Sequence, residues 1–314
     1  MARHFLFFIS IALLCAACDK SDCPYVNERL CDQAYRDSIA NDTITTGGGI
    51  GTDTGTVVGN FVVYSPEVFQ TYESAVQLED FTGFRCSNCA LALATGENLS
   101  NQWGERITVL AYHVFPEFAA PIADPPAPFS TDFRTSAGES YATEFQLNAL
   151  PNGMINRKNF GTGVIQSVGN WADRVSELLE QEPTGFIRFR DIRYDPISRN
   201  LTARVAVAPL MPMSGNILLT IGLLESGIIE AQKNGTETIF PFTHNHVFRG
   251  NVNGLYGSPA WPSGTIFEAN SAYLHPMEFT LPENWNEEKM SLFAYLHFES
   301  TRVIIQTSEQ KIFE

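Results

Sequence analysis

Residues 78–90 read Leu78-Glu79-Asp80-Phe81-Thr82-Gly83-Phe84-Arg85-Cys86-Ser87-Asn88-Cys89-Ala90. A strand composition over 74–81 runs into a short loop, and Cys-x-x-Cys opens a helical stretch over 88–99. Residues 106–115 (RITVLAYHVF) then form a near-continuous apolar run of the kind found in a buried central strand. Strand, helix, strand is an α/β signature. The spacing also has chemical content. A thiolate at a helix N-terminus meets unsatisfied N–H groups and the positive end of the dipole. Cys86 is expected to be the exposed, low-pKa partner, with Arg85 lowering it further, and Cys89 the resolving one. A lone Cys-x-x-Cys says little; its place between a strand and a helix strengthens it.

Outward from this segment, 116–134 is proline-rich and loop-like, 138–147 reads as a helix, and Leu150-Pro151-Asn152-Gly153 marks a turn. Residues 170–182 carry Trp171, Val175, Leu178 and Leu179 at helical spacing until Pro183 stops them. From 185 onward helical periodicity is missing. Short runs of strand composition at 186–190, 201–207, 217–224, 240–248, 272–281 and 290–297 are separated by turn residues. The expected fold class is therefore α/β plus all-β: an α/β domain over 60–183 and a β-sandwich over 184–314.

The N-terminus has its own logic. Arg3 and His4 precede an apolar run, 5–14, too short for a membrane span, which needs about 20 residues. It closes on Ala16-Ala17-Cys18, so 1–17 read as a signal peptide. Leu14-Cys15-Ala16-Ala17-Cys18 resembles the lipobox of bacterial lipoproteins, with Cys15 departing from the usual leucine. That resemblance implies lipidation at Cys18, and residues 18–59 then serve as anchor and tether. Asp19-Lys20-Ser21-Asp22 resembles the surface-export signals of Bacteroidota lipoproteins, which points to the outer membrane and to its outer face. Residues 41–59 are rich in Thr, Gly and Asp and read as a flexible linker. Within 37–44, Asp37-Ser38-Ile39 and Asp42-Thr43-Ile44 resemble the Bacteroidota O-glycosylation triplet, making Ser38 and Thr43 candidate sites, with chance occurrence in a Thr/Asp-rich linker the equal alternative.

Four cysteines remain after Cys15 leaves and Cys18 is lipidated. Cys23, Cys31, Cys86 and Cys89 allow three pairings, and proximity favours Cys23–Cys31 and Cys86–Cys89. The 314-residue chain is 44% hydrophobic and 18% charged, the composition of a globular protein, with a formal net charge of −15. Such a surface repels nucleic acid, which is discarded as a partner. The partners expected instead are the membrane, through the N-terminal lipid, and proteins of the outer membrane.

Residues 60–182 resemble the thioredoxin superfamily: Asp80 stands where that family has its proton-relaying carboxylate and Leu150-Pro151 where it has its cis-proline. Glu79-Asp80-Phe81-Thr82-Gly83, the two cysteines, Pro151-Asn152-Gly153-Met154-Ile155-Asn156-Arg157 and His244-Asn245-His246-Val247-Phe248-Arg249 resemble a Bacteroidota twenty-eight-kilodalton outer-membrane-protein family. That resemblance implies a lipoprotein with a thioredoxin-like domain followed by a β-sandwich. Arg85 and Ser87-Asn88 depart from the aromatic and the Gly-Pro of working thioredoxins.

Two functions follow. One is a non-catalytic binding or accessory module with a static disulfide. The other is an extracytoplasmic thiol-disulfide oxidoreductase, with Cys86 attacking, Cys89 resolving, Asp80 shuttling the proton and Pro151 beside them. Outside the outer membrane nothing obvious supplies a reductase with electrons, which favours the module. No cofactor is expected, and no metal: two thiolates fall short of zinc's four ligands, and His244 and His246, placed on one face of a strand, more often pack than ligate. No Ser/His/Asp motif or phosphate loop stands out.

Overall fold

The computed structural model describes residues 56–58, 61–64, 72–125, 127–213, 215–261 and 272–313. Cys18, Cys23, Cys31, Ser38 and Thr43 lie outside them, and with them the anchor, the first cysteine pair and the glycosylation triplets.

The decisive segment forms β3 (Val76–Thr82) and α1 (Cys89–Trp103), followed by β4 (Ile107–His113). β3 and β4 pair in parallel from Val76↔Ile107 to Thr82↔His113, with α1 as the crossover. Every residue of both strands is buried, as covering both faces of a parallel pair requires. A short α2 (Pro116–Ala119) and α3 (Ser136–Glu144) lead to β5 (Asn152–Ile155), antiparallel to β3, and then to β6 (Ile165–Gln166) beside it. α4 (Trp171–Leu179) closes this half; its Trp171, Val175, Leu178 and Leu179 pack with Ala92 and Leu99 of α1 onto Val76, Leu78 and Val109.

The second half supplies β7 (Gly185–Asp195), β8 (Asn200–Pro209), β9 (Ile217–Glu225), β10 (Ile228–Asn234), β11 (Glu237–His244), β12 (Val247–Asn251), β13 (Ser258–Pro259), β14 (Ala272–Thr280), β15 (Met290–Phe298) and β16 (Ile304–Lys311). Sequence reading finds most of these runs but takes 240–248 as one strand, where a turn at Asn245-His246 divides β11 from β12. Preceding them all, β1 (Thr56–Val58) and β2 (Phe61–Tyr64) join β14, β8 and β7 in one sheet, in the order β1-β2-β14-β8-β7. Thr56–Val58 falls in the stretch read as linker and is a strand.

The other large sheet runs β16-β15-β9-β12-β4-β3-β5-β6, with β13 alongside β9. It crosses the junction at residue 183 without a break. β12 lies parallel to β4 through Val247↔Ala111, and the Ala111 N–H donates to the His246 carbonyl at 2.8 Å. Leu201, Val205, Leu219, Ile221, Tyr273 and Leu292 fill the space between the two large sheets. A further core is shared by the halves: Phe81, Leu110, Tyr112 and Met154 pack with Leu224, Phe248, Phe293 and Tyr295.

Glu79 and Arg157 sit in this shared core with fully buried side chains. Arg157 Nη2 lies 2.6 Å from Glu79 Oε1 and Nε 2.9 Å from Oε2, while the Tyr112 hydroxyl donates to Oε1 at 3.1 Å. The guanidinium lies against the rings of Tyr141 and, from the second half, Tyr295 at 4.7 and 5.1 Å. Arg157 Nη2 also reaches the Tyr295 hydroxyl at 3.2 Å. A fork of donors on a carboxylate, with aromatic faces around it, offsets much of the cost of burying both charges.

Candidate functional site

Cys86 and Cys89 form a disulfide, with their Cα atoms 5.4 Å apart. The turn carrying them is held from below and above. Gly83 is required because α2 crosses it: a Cβ there would come within 2.7 Å of the Phe118 carbonyl oxygen. The Arg85 N–H donates to that carbonyl at 2.9 Å, and its Nη2 donates to the Pro116 carbonyl at 2.6 Å. The guanidinium expected to act on the Cys86 sulfur is thus engaged by the α2 turn. Cys89 is the first residue of α1, while Cys86 lies in the turn before it.

Cys86 was expected to be exposed. It is 3% exposed, and Cys89 0%. The cover is a ribbon from the second half, β10 paired antiparallel with β11. The Gln232 side-chain amide donates to the carbonyls of Gly83 (3.4 Å) and Cys86 (3.3 Å). The Lys233 N–H donates to the Phe84 carbonyl at 2.8 Å, and the Gly235 N–H to the Ser87 carbonyl at 2.7 Å. β10 therefore lies along the cysteine turn almost as a neighbouring strand would. Sequence reading missed β10, and with it the hairpin, although its signal was present: Asn234-Gly235 is a strong hairpin dipeptide, and Gly235 has the positive φ, 60°, that such a turn needs.

The Leu150–Pro151 bond is cis. Pro151 stands one residue before the Asn152↔Phe81 pair of β5 and β3, and Gly153 stands opposite Asp80. Asp80 points from β3 toward α1. It is 1% exposed, its Oδ1 has no hydrogen-bond partner, and burial alone pushes its carboxyl well above the usual range. It forms the floor of a cleft of about 140 Å³ between α1 and the end of β11. At the mouth, Glu97 Oε2 accepts from Asn245 Nδ2 at 3.0 Å and lies 3.5 Å from His246 Nε2. The bond from His246 holds the Glu97 carboxyl down to about 2.

His244 and His246 do not share a strand face. His246 occupies the turn with φ 56°, and His244 is buried with its ring 5.6 Å from His113 and 5.1 Å from Phe133. Burial lowers His244 to about 4, partly opposed by its bond with the Ala231 carbonyl. Among the described residues no three His, Cys, Asp or Glu side chains gather as a metal site. A second hollow, of about 390 Å³, opens between the start of α3 and β12. The Arg249 that lines it is held by Glu225 at 2.6 and 2.7 Å.

A profile of the Omp28 family, "Outer membrane protein Omp28", matches residues 138–314. Among curated proteins none matches. Solved structures similar to this one include HBP35 of Porphyromonas gingivalis, at 14% identity and a TM-score of 0.58, covering 77% of this chain and 76% of that one. A domain of the outer membrane lipoprotein Omp28 from Porphyromonas gingivalis is 19% identical over 42% of this chain and 89% of that one, with a TM-score of 0.30.

Proposed function

The chain belongs to the Omp28 family of outer membrane proteins, and from that premise we propose that it is a lipoprotein held to the outer membrane through Cys18, facing the cell surface, whose folded body is a non-catalytic binding or accessory module. Residues 60–183 serve as a thioredoxin-like scaffold, apart from β2, which pairs with β14, and 184–314 as a β-sandwich whose sheet continues into it. Its partners are proteins of the outer membrane.

One observation carries the non-catalytic part: the β10–β11 ribbon seals the Cys86–Cys89 turn. Thiol-disulfide exchange needs a thiolate to reach a sulfur in line with the bond. Neither sulfur is open to an approaching thiol while Gln232, Lys233 and Gly235 bind the turn. The disulfide then acts as a staple between β3 and α1. The oxidoreductase reading draws on Asp80 and the cis proline, which stand where a working site would want them.

The two readings part on a trapping experiment. Cys89→Ser leaves Cys86 able to hold any client it attacks. With the ribbon closed, the variant purified from cells should show no reducible high-mass bands. A reproducible ladder that disappears in the Cys86→Ser, Cys89→Ser double variant would establish catalysis instead. Protease shaving of intact cells tests the orientation: the mature chain should be digested without lysis.

A further inference from the structure

Asp80 and the cleft above it are used neither by the disulfide nor by the core. An unpaired carboxyl inside a protein is costly to bury, by a few kcal/mol or more, and buried polar side chains nearly always find partners. This one has an acceptor oxygen without a partner and opens on empty space. The space is the right size for a small guest: an apolar cavity of about 150 Å³ is enough to hold benzene, and this cleft is about 140 Å³. Its walls are mainly apolar, with Leu93 and Ala94 from α1, Val109 from β4 and Phe242 from β11. Apolar walls converging on one or two polar groups are how small-molecule sites are built.

We propose that this cleft binds a primary ammonium group carried on an apolar body of about five carbons, with Asp80 as its buried counter-ion and Glu97 at the entrance. The ammonium donates to the Asp80 oxygen that lacks a partner, and the alkyl chain lies between Leu93 and Phe242. Where the Asp80 carboxyl holds its proton before the cation arrives, it gives that proton up: R–NH3+ and the carboxylic acid become R–NH3+ against carboxylate, and one proton passes to the solvent. The titratable groups lining the cleft besides Asp80 are Glu97 from α1 and His246 from the turn before β12; β4 contributes Val109 and Ala111, and β11 contributes Phe242 and Thr243. Glu97 is ionised above about 2, so the mouth carries a carboxylate facing any entering cation, with His246 beside it. The net charge of −15 draws cations toward the surface as a whole. The inference stands whether or not the disulfide turns over.

The same chemistry comes from a free alkylamine or from a lysine side chain of another protein. Calorimetry on the purified mature protein distinguishes them, with n-pentylamine, pentan-1-ol and Nα-acetyl-lysine methylamide as probes, in two buffers of different ionisation enthalpy. For a ligand of about six heavy atoms, dissociation constants on the order of millimolar are expected. Pentylamine should bind more tightly than pentanol, and a proton released by Asp80 would show as a difference in heat between the two buffers. Asp80→Asn should weaken it at least about tenfold, the loss of a charged hydrogen bond. Ala94→Leu, at an exposed edge of the cleft, should weaken it similarly by filling the space. If the blocked lysine binds with the same dependence on Asp80, the guest is a protein side chain; if only pentylamine does, it is a free amine. Equal binding of pentylamine by wild type and Asp80→Asn, or of pentanol and pentylamine by wild type, would overturn the proposal. So would the absence of saturable binding to either amine.

Discussion

Glu79 and Asp80 are neighbours on β3, and both carboxyls are buried. Because strand side chains alternate, they face opposite sides of the sheet, and the two sides have been finished differently. Glu79 faces the second half of the molecule and is given Arg157, Tyr112 and a surround of aromatic rings. Asp80 faces α1, with no partner for its Oδ1, mainly apolar walls and a cleft. A buried charge held by a guanidinium fork and a hydroxyl is part of the architecture. A buried acid without partners lowers stability and persists without contributing to the fold, which marks it as the place to look for chemistry.

Separating the halves is the most drastic way to break this contrast. A fragment of residues 184–314 would expose Leu224, Phe248, Phe293 and Tyr295 and leave β12 without β4. It should give no cooperative unfolding transition by circular dichroism, whereas the full chain should; a sharp transition in the fragment would mean the shared core adds little.

Arg157→Met comes next. Removing one partner leaves the Glu79 carboxylate buried and uncompensated, at a cost of about 3–5 kcal/mol, readable as a lower urea midpoint. Adding Glu79→Leu should recover most of that loss, since the penalty lies in the orphaned charge. No recovery would mean that the pair's packing, not its charge, sets the cost.

Asp80→Asn should act in the opposite direction and more weakly, raising stability by about 1–3 kcal/mol near neutral pH. The sign of its pH dependence is fixed. Asp80 has a folded pKa above its unfolded one, so its contribution is fully present below about 4 and is lost as pH rises through the folded value. The advantage of the asparagine variant should therefore vanish near pH 3 and grow upward from about 4. His244, His275 and His297, each lowered to about 4 by burial, lose stability as pH falls below 6.5. They are common to both proteins and cancel in the difference.

The features legible in the sequence are those written locally. The apolar run of β4, the Cys-x-x-Cys turn into α1, the apolar spacing of α4 and the strand composition of β8 and β9 need only a few neighbouring residues to be recognised. What escaped depends on distance along the chain. The junction of the halves rests on Ala111 meeting Val247, and nothing near either residue announces the other. The pairing of Glu79 with Arg157 escaped for the same reason, although both residues lie in motifs that carry the family resemblance. β10 and β11 were marked by Asn234-Gly235, but that they settle over Cys86 is a tertiary fact.

The position of that ribbon sets an order of events. Its residues follow Cys89 by about 140 positions, so a chain made from its N-terminus presents two bare thiols long before their cover exists. Oxidant meets them uncovered in that interval; once the second half docks, the sulfurs are buried, and a change of redox state requires the ribbon to lift.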